Sequence, residues 1–192
     1  MTAWIFASAE QRDGRLALLK CTPCPHCKHA GALNRHGFLT GYDEQNFKQK
    51  VVRAIRVFCS NRGKARGCGR TFSVWIAEKI KRLFLDAQSL WRFLQQAAAT
   101  GNKYQAFHKL QSSMSQSAIY RTWNRFRKAQ SKIRTTLAAI CPPPRQFPPN
   151  EPAENDDRGA AHATLAHLKE AFKASALNPI AAYQVLTQSF FI

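Results

Sequence analysis

The spacing of apolar residues changes once along the chain, near residue 76. Ahead of that point it alternates as in strands. Ala32 to Leu39 and Gln49 to Phe58 read as two strands around the polar turn at 41–46. In the second, Val51, Arg53, Ile55 and Val57 share one side, and Val52, Ala54, Arg56 and Phe58 the other. Thr71 to Trp75 reads as a third short strand. Beyond Ile76 the period becomes helical: Leu83, Phe84, Leu90, Trp91, Leu94, Ala97 and Ala98 recur at that spacing. Asp86 or Ser89 caps the start of this helix and Gly101 ends it. A short helix from Asn102 or Lys103 to Leu110 follows, then a polar turn at 112–115, where Ser113 and Gln116 have capping-box spacing. A long third helix carries Ile119, Trp123, Phe126, Ile133, Leu137 and Ile140, a heptad stripe interrupted at Gln130. The stripe packs on the chain's own core, or its C-terminal half is a dimer seam.

The remaining segments are set by breakers. Residues 1–20 read as an N-terminal arm, either a hairpin turning at Asp13-Gly14 or a strand leading into the next module. The segment 141–159 holds six of the nine prolines and then turns acidic, so it reads as a semi-rigid extended linker. From Ala160 two short amphipathic helices are expected. Leu165, Leu168 and Phe172 line the first; Ile180, Tyr183, Leu186 and Phe190 line the second, which opens on Asn178-Pro179. This tail folds back on the body, or it is a docking or oligomerisation element.

The cysteines add chemistry to that outline. Cys24-Pro25-His26-Cys27 and the later Cys59 and Cys68 can place four thiolates on one tetrahedral ion. Eight residues separate Cys59 from Cys68, where two are usual. Cys21-Thr22-Pro23-Cys24 offers a competing two-residue spacing, so Cys21 is a substitute ligand. His26, His29 and His36 read as surface or turn histidines. Disulfides would need an oxidising compartment, which no leader-like segment suggests, and free buried cysteines are the other plain alternative. Four thiolates saturate the ion and leave no position for a reacting water. Zinc is therefore expected as a structural cofactor that contributes folding energy directly.

Charge then selects the partner. The chain carries a formal net charge of +18 over 192 residues. Twenty-five basic against six acidic side chains precede residue 141; four against five follow. Such a bias points to a polyanion, most often nucleic acid. No apolar run reaches membrane-helix length and no targeting segment is evident, so a cytoplasmic protein is expected.

Cys24-Pro25-His26-Cys27, Leu33-Asn34-Arg35-His36-Gly37, Val57-Phe58-Cys59 and Cys68-Gly69-Arg70-Thr71-Phe72-Ser73 together resemble the zinc ribbon that begins many bacterial insertion-sequence transposases. They are also similar to the ribbons of the short regulatory proteins encoded beside them. The resemblance covers roughly residues 20 to 130 and implies a helix-turn-helix after the ribbon, as Ser89 to Arg127 suggests. It also implies a bacterial, nucleoid-associated protein with a transposase partner.

The expected fold is α+β: a three-stranded antiparallel zinc ribbon (21–75), a helix-turn-helix domain (76–140), the linker (141–159) and a helical interaction tail (160–192). The metal ligands are Cys24, Cys27, Cys59 and Cys68. Base edges are read by Gln116, Ser117, Tyr120, Arg121 and Asn124 on the first turns of the third helix. Phosphates are met by Lys103, Lys109, Arg125, Arg127 and Lys128, and on the ribbon by Arg53, Arg56, Arg62, Lys64 and Arg66. No carboxylate triad or other catalytic constellation is found, so no enzymatic activity is expected, and the role is that of a transcriptional regulator or transposition accessory factor. A homodimer through the third helix or the tail is a further expectation, as is the absence of a membrane partner. Two other readings stand beside this one. One is an RNA-binding or ribosome-associated module stacking bases on Tyr42, Phe47 and Phe58; the other is a protein-interaction adaptor.

Overall fold

A computed structural model describes residues 3–46, 48–110, 115–144 and 157–192. Strand β1 (Ala3–Phe6) leads into helix α1 (Ala9–Ala17); β2 (Leu33–Tyr42), β3 (Lys50–Cys59) and β4 (Thr71–Ile76) follow. Then come α2 (Ala87–Thr100), α3 (Lys103–His108), α4 (Gln116–Ala138), α5 (Asp157–Ala171) and α6 (Pro179–Thr187). Phe47, the Ser113 end of the expected capping box and most of the proline-rich segment (145–156) lie outside the described residues.

The sheet corrects the expected ribbon. Its order is β1-β4-β3-β2, with β2, β3 and β4 antiparallel and β1 parallel to β4. It is a four-stranded mixed sheet, and the whole cysteine module forms the crossover between its one parallel pair. The arm is thus part of the sheet. Asp13-Gly14 sits inside α1 instead of turning a hairpin. Ser8 caps that helix, its hydroxyl accepting from the Gln11 N–H at 3.3 Å, and this local signal outweighs a mid-helix glycine worth about 1 kcal/mol.

Strands β1 and β4 and the second half of β3 carry buried residues on both faces, which explains the mixed alternation there, whereas β2 is mostly exposed. Ala3, Ile5, Ala54 and Trp75 join the main core, built with α2, α4, α5 and α6. Ile55, Val57, Phe72 and Val74 join a second core under Leu16, Leu19, Leu33, Cys24 and Cys59. The Trp4 and Phe72 rings meet edge to face at 4.6 Å across the parallel pair.

The helices follow their caps. The Asp86 carboxylate accepts from the Ser89 N–H at 2.8 Å, and Gly101 closes α2 in the left-handed conformation (φ 72°). Asn102 caps α3 through the Gln105 N–H at 3.0 Å. On α4, Ile119, Trp123, Phe126, Ile133 and Leu137 are buried in the main core, whereas Ile140 is exposed. Intrachain packing therefore accounts for the heptad stripe.

The tail packs as part of the body. Helix α5 begins at Asp157, inside the segment read as linker, and the Arg158 guanidinium caps α2 by donating to the Ala98 and Ala99 carbonyls at 3.1 and 2.8 Å. Leu165, Leu168, Ile180, Tyr183 and Phe191 are buried in the main core, and the rings of Phe126 and Phe191 stack at 5.9 Å. Phe172 and Phe190 are partly buried against that core, whereas Leu186, expected on the second apolar face, is 56% exposed.

Candidate metal centre and nucleic-acid interface

Two turns bring four sulfurs together. In the first, Cys24-Pro25-His26-Cys27, the Lys28 N–H donates to the Cys24 carbonyl at 2.9 Å and Lys28 takes a left-handed φ of 63°. The second turn is built the same way: the Gly69 N–H donates to the Cys59 carbonyl at 2.9 Å, and Gly69 has φ 70°. Backbone N–H groups also point at sulfur, from His26 to Cys24 Sγ at 3.4 Å and from Cys68 to Cys59 Sγ at 3.3 Å.

The long gap between Cys59 and Cys68 is closed by one hydrogen bond. The Gly67 N–H donates to the Ser60 carbonyl at 2.8 Å, pinching residues 61–66 into an excursion. What remains at the sulfur cluster is Cys59-Ser60-Gly67-Cys68, a two-residue knuckle in effect. Glycine is required at 67. A Cβ there would stand 2.2 Å from the Ser60 oxygen and 2.6 Å from Cys59 Sγ.

The sulfurs of Cys24, Cys27, Cys59 and Cys68 all lie within 4.8 Å of one another. Cys24 Sγ is 3.9 Å from Cys68 Sγ, and Cys27 Sγ is 3.7 Å from Cys59 Sγ. A tetrahedral ion with metal–sulfur bonds of about 2.3 Å has sulfur edges of about 3.8 Å. The four cysteines thus fit, and could hold, a metal ion. Two of the thiols are shifted in opposite directions. The His29 backbone N–H brings the Cys27 thiol down to about 7, whereas burial pushes that of Cys59 up to about 12. Four sulfurs this close cannot all be thiolates unless a cation shares their charge.

Cys21 is exposed and lies outside the cluster; Cys141, half-buried just past α4, also lies outside it, and its carbonyl meets His167 Nε2 at 3.0 Å. The three histidines stand apart too. His26 lies against Phe72, His36 against Phe58, and His29 is exposed.

The metal module is fastened to the helices by polar contacts. The Asp86 N–H donates to Glu44 Oε2 at 2.9 Å, and Arg53 Nη1 to the Phe84 carbonyl at 3.3 Å. Arg53 is thereby turned inward. Burial lowers its pKa, with Glu44, Asp86 and Asp43 opposing that shift, and the side chain is half-buried.

The other named residues fall at the surface. Gln116, Ser117, Tyr120, Arg121 and Asn124 are all exposed, as are Arg125, Arg127, Lys128 and Lys109. Lys103 is half-buried, its ammonium 5.3 Å from the centre of the Trp123 ring. Arg62, Lys64 and Arg66 are exposed on the 61–66 excursion, and Arg56 is half-buried on β3. Residue spacing places Arg121, Arg125, Lys128 and Lys132 along one side of α4, opposite its buried stripe.

The sequence reading missed Lys81 and Arg82, which join Arg125 and Lys128 around one depression. Their adjacency on a loop gave only a weak signal.

No protein-family model, curated protein or solved structure matches the chain. Among the described residues, no helix is long and apolar enough to cross a membrane.

Proposed function

We propose that this chain is a DNA-binding protein whose four-cysteine centre holds a structural zinc and whose α4 is the recognition helix. The observation that carries the reading is the exposed face of α4. It combines hydrogen-bonding side chains at its first turns with a basic stripe, on a helix anchored by a buried stripe behind it. The sulfur-only donor set and its tetrahedral edges favour zinc, with iron the other metal suited to four thiolates. Arg125, Arg127, Lys128 and Lys109 on the helices, and Arg62, Lys64 and Arg66 on the excursion, neutralise phosphates. The resemblance to transposase zinc ribbons supports a regulator or transposition accessory factor at a bacterial nucleoid, without catalytic activity of its own.

Selection from a random duplex pool, followed by Arg121→Ala and Lys128→Ala, tests this. Arg121→Ala should lose about 1–3 kcal/mol of discrimination at one base pair. Lys128→Ala should weaken all duplexes alike and flatten the salt dependence. If both variants bind every duplex as the parent does, the assignment of α4 is wrong.

An RNA-binding role is the second reading, favoured by the β2–β3 hairpin. Phe38 and Tyr42 are 63% and 51% exposed there, with Lys50 Nζ 6.0 Å from the Tyr42 ring centre. A structured RNA that displaces the selected duplex at equal concentration would favour this reading.

A further inference from the structure

An open pocket of about 690 Å³ lies beside α4, where the loop after β4 meets the final residues. Lys81 and Arg82 line it from the loop, Arg125 and Lys128 from the helix. Its apolar part is formed by Ala129, Phe190 and Ile192. Arg82 from the loop and Arg125 and Lys128 from the helix bring three cations to one opening, a grouping that attracts an anion.

The backbone holds the two segments in place. Arg82 adopts a left-handed φ of 60°, and its carbonyl accepts from Arg125 Nη1 at 3.3 Å. That bond ties the loop to the helix and still leaves Arg125 other N–H donors. Lys81 Nζ lies 5.8 Å from the centre of the Phe190 ring, so the tail buttresses the loop from below.

We infer that this pocket clasps one backbone phosphate of duplex DNA, with Arg82 on the loop and Arg125 and Lys128 on α4 closing on it together. The inference rests on the DNA-binding reading and extends it to a loop outside the helix-turn-helix face. The apolar wall of Phe190 and Ile192 would receive the adjoining deoxyribose. The neighbouring stripe residues Arg121 and Lys132 lie one turn to either side, so the helix and the clasp follow the same strand.

The test is the salt dependence of affinity for a mixed-sequence duplex, measured for the parent, Arg82→Asn, Lys128→Ala and the double variant. Asparagine tolerates the left-handed backbone, so Arg82→Asn removes charge without adding strain. Thermal melting and metal content check that each variant is folded. If Arg82 and Lys128 share one phosphate with Arg125, the double variant should lower the slope by no more than about 0.9, and by little more than the stronger single variant. A loss near twice that value means two separate phosphates, and overturns the clasp. An unchanged slope in Arg82→Asn beside a reduced one in Lys128→Ala also overturns it, while leaving the DNA-binding reading intact. A parent that binds no duplex removes both. Titration with inorganic phosphate is the last arm. If phosphate saturates the pocket at millimolar concentration while the double variant keeps the parent's duplex slope, the site serves a small phosphorylated ligand, and the clasp is overturned.

Discussion

The side-chain amide of Gln188 hydrogen-bonds both backbone groups of Ile5: its Oε1 accepts from the Ile5 N–H at 3.0 Å and its Nε2 donates to the Ile5 carbonyl at 2.8 Å. One side chain from the end of α6 thus stands in for a neighbouring strand at the β1 edge of the sheet. Gln184 complements it from the same helix, donating from Nε2 to the buried Ala77 carbonyl at 2.7 Å. Exposed strand edges invite pairing with other chains, and this contact blunts the one that β1 would present.

Gln188→Ala removes both bonds and should destabilise the fold by about 1–3 kcal/mol. Because Gln188 has a left-handed φ of 49°, Gln188→Asn is the control that suits the backbone but lacks the reach. Denaturant melts should show both variants destabilised; an Asn variant as stable as the parent would assign the effect to backbone strain alone.

At the metal centre, Gly67→Ala forces a methyl into the Ser60 oxygen and Cys59 Sγ. It should cut metal stoichiometry in freshly purified protein. Deleting 61–66, by contrast, joins Ser60 to Gly67 and should leave a metal-binding knuckle with three fewer basic side chains. Metal analysis of the two variants separates the knuckle from its excursion.

Cys24→Ser or Cys59→Ser should abolish metal binding and lower thermal stability, whereas Cys21→Ser and Cys141→Ser should do neither. Protons compete with the metal for sulfur. The His29 N–H holds Cys27 ionised down to about pH 7, so as the pH falls through that value Cys27 takes up a proton that the metal must displace. Competition with a chromophoric chelator should show affinity falling more steeply with acidification below that point than above it.

Gln130 interrupts the buried stripe of α4, is 5% exposed, and its Nε2 has no hydrogen-bond partner. Gln130→Leu replaces an unsatisfied donor with apolar contact and should stabilise the fold by about 1 kcal/mol, read as a rise in melting temperature. A loss of stability would mean that the amide makes a bond through ordered water.

Arg53 separates structural from surface charge. Arg53→Ala should destabilise the junction between β3 and the start of α2 while leaving the salt slope of duplex binding unchanged. Replacing Arg62, Lys64 and Arg66 together should do the reverse, lowering the slope by up to about 0.9 for each phosphate no longer neutralised, with little change in melting.

Local signals carried a large part of this molecule. The expected strand Gln49 to Phe58 is observed as Lys50–Cys59; of the two expected start caps of α2 it is Asp86 that acts, and Gly101 ends that helix as expected, because capping depends on residues within one turn. The four cysteines were legible because a thiolate pair at short spacing has few other uses, and Cys24, Cys27, Cys59 and Cys68 do converge. The excursion between Cys59 and Cys68 was visible only as a gap. That it closes through Gly67 and Ser60 could have been suspected from the glycine placed just before the last cysteine.

Periodicity and residue spacing, then, determined most of the elements from β2 onward, the caps of α2 and the set of four cysteines that could hold a metal. Tertiary structure alone decided that β1 pairs in parallel with β4, that the tail completes the core, and that Arg53 turns inward while Arg82 joins α4. The reason is physical. Each of these depends on residues far apart in the chain coming together, Gln188 and Ile5 being separated by 183 positions. Whether such groups meet is settled by which packing buries β1, β4 and the second half of β3 against the helices, and no local pattern encodes that.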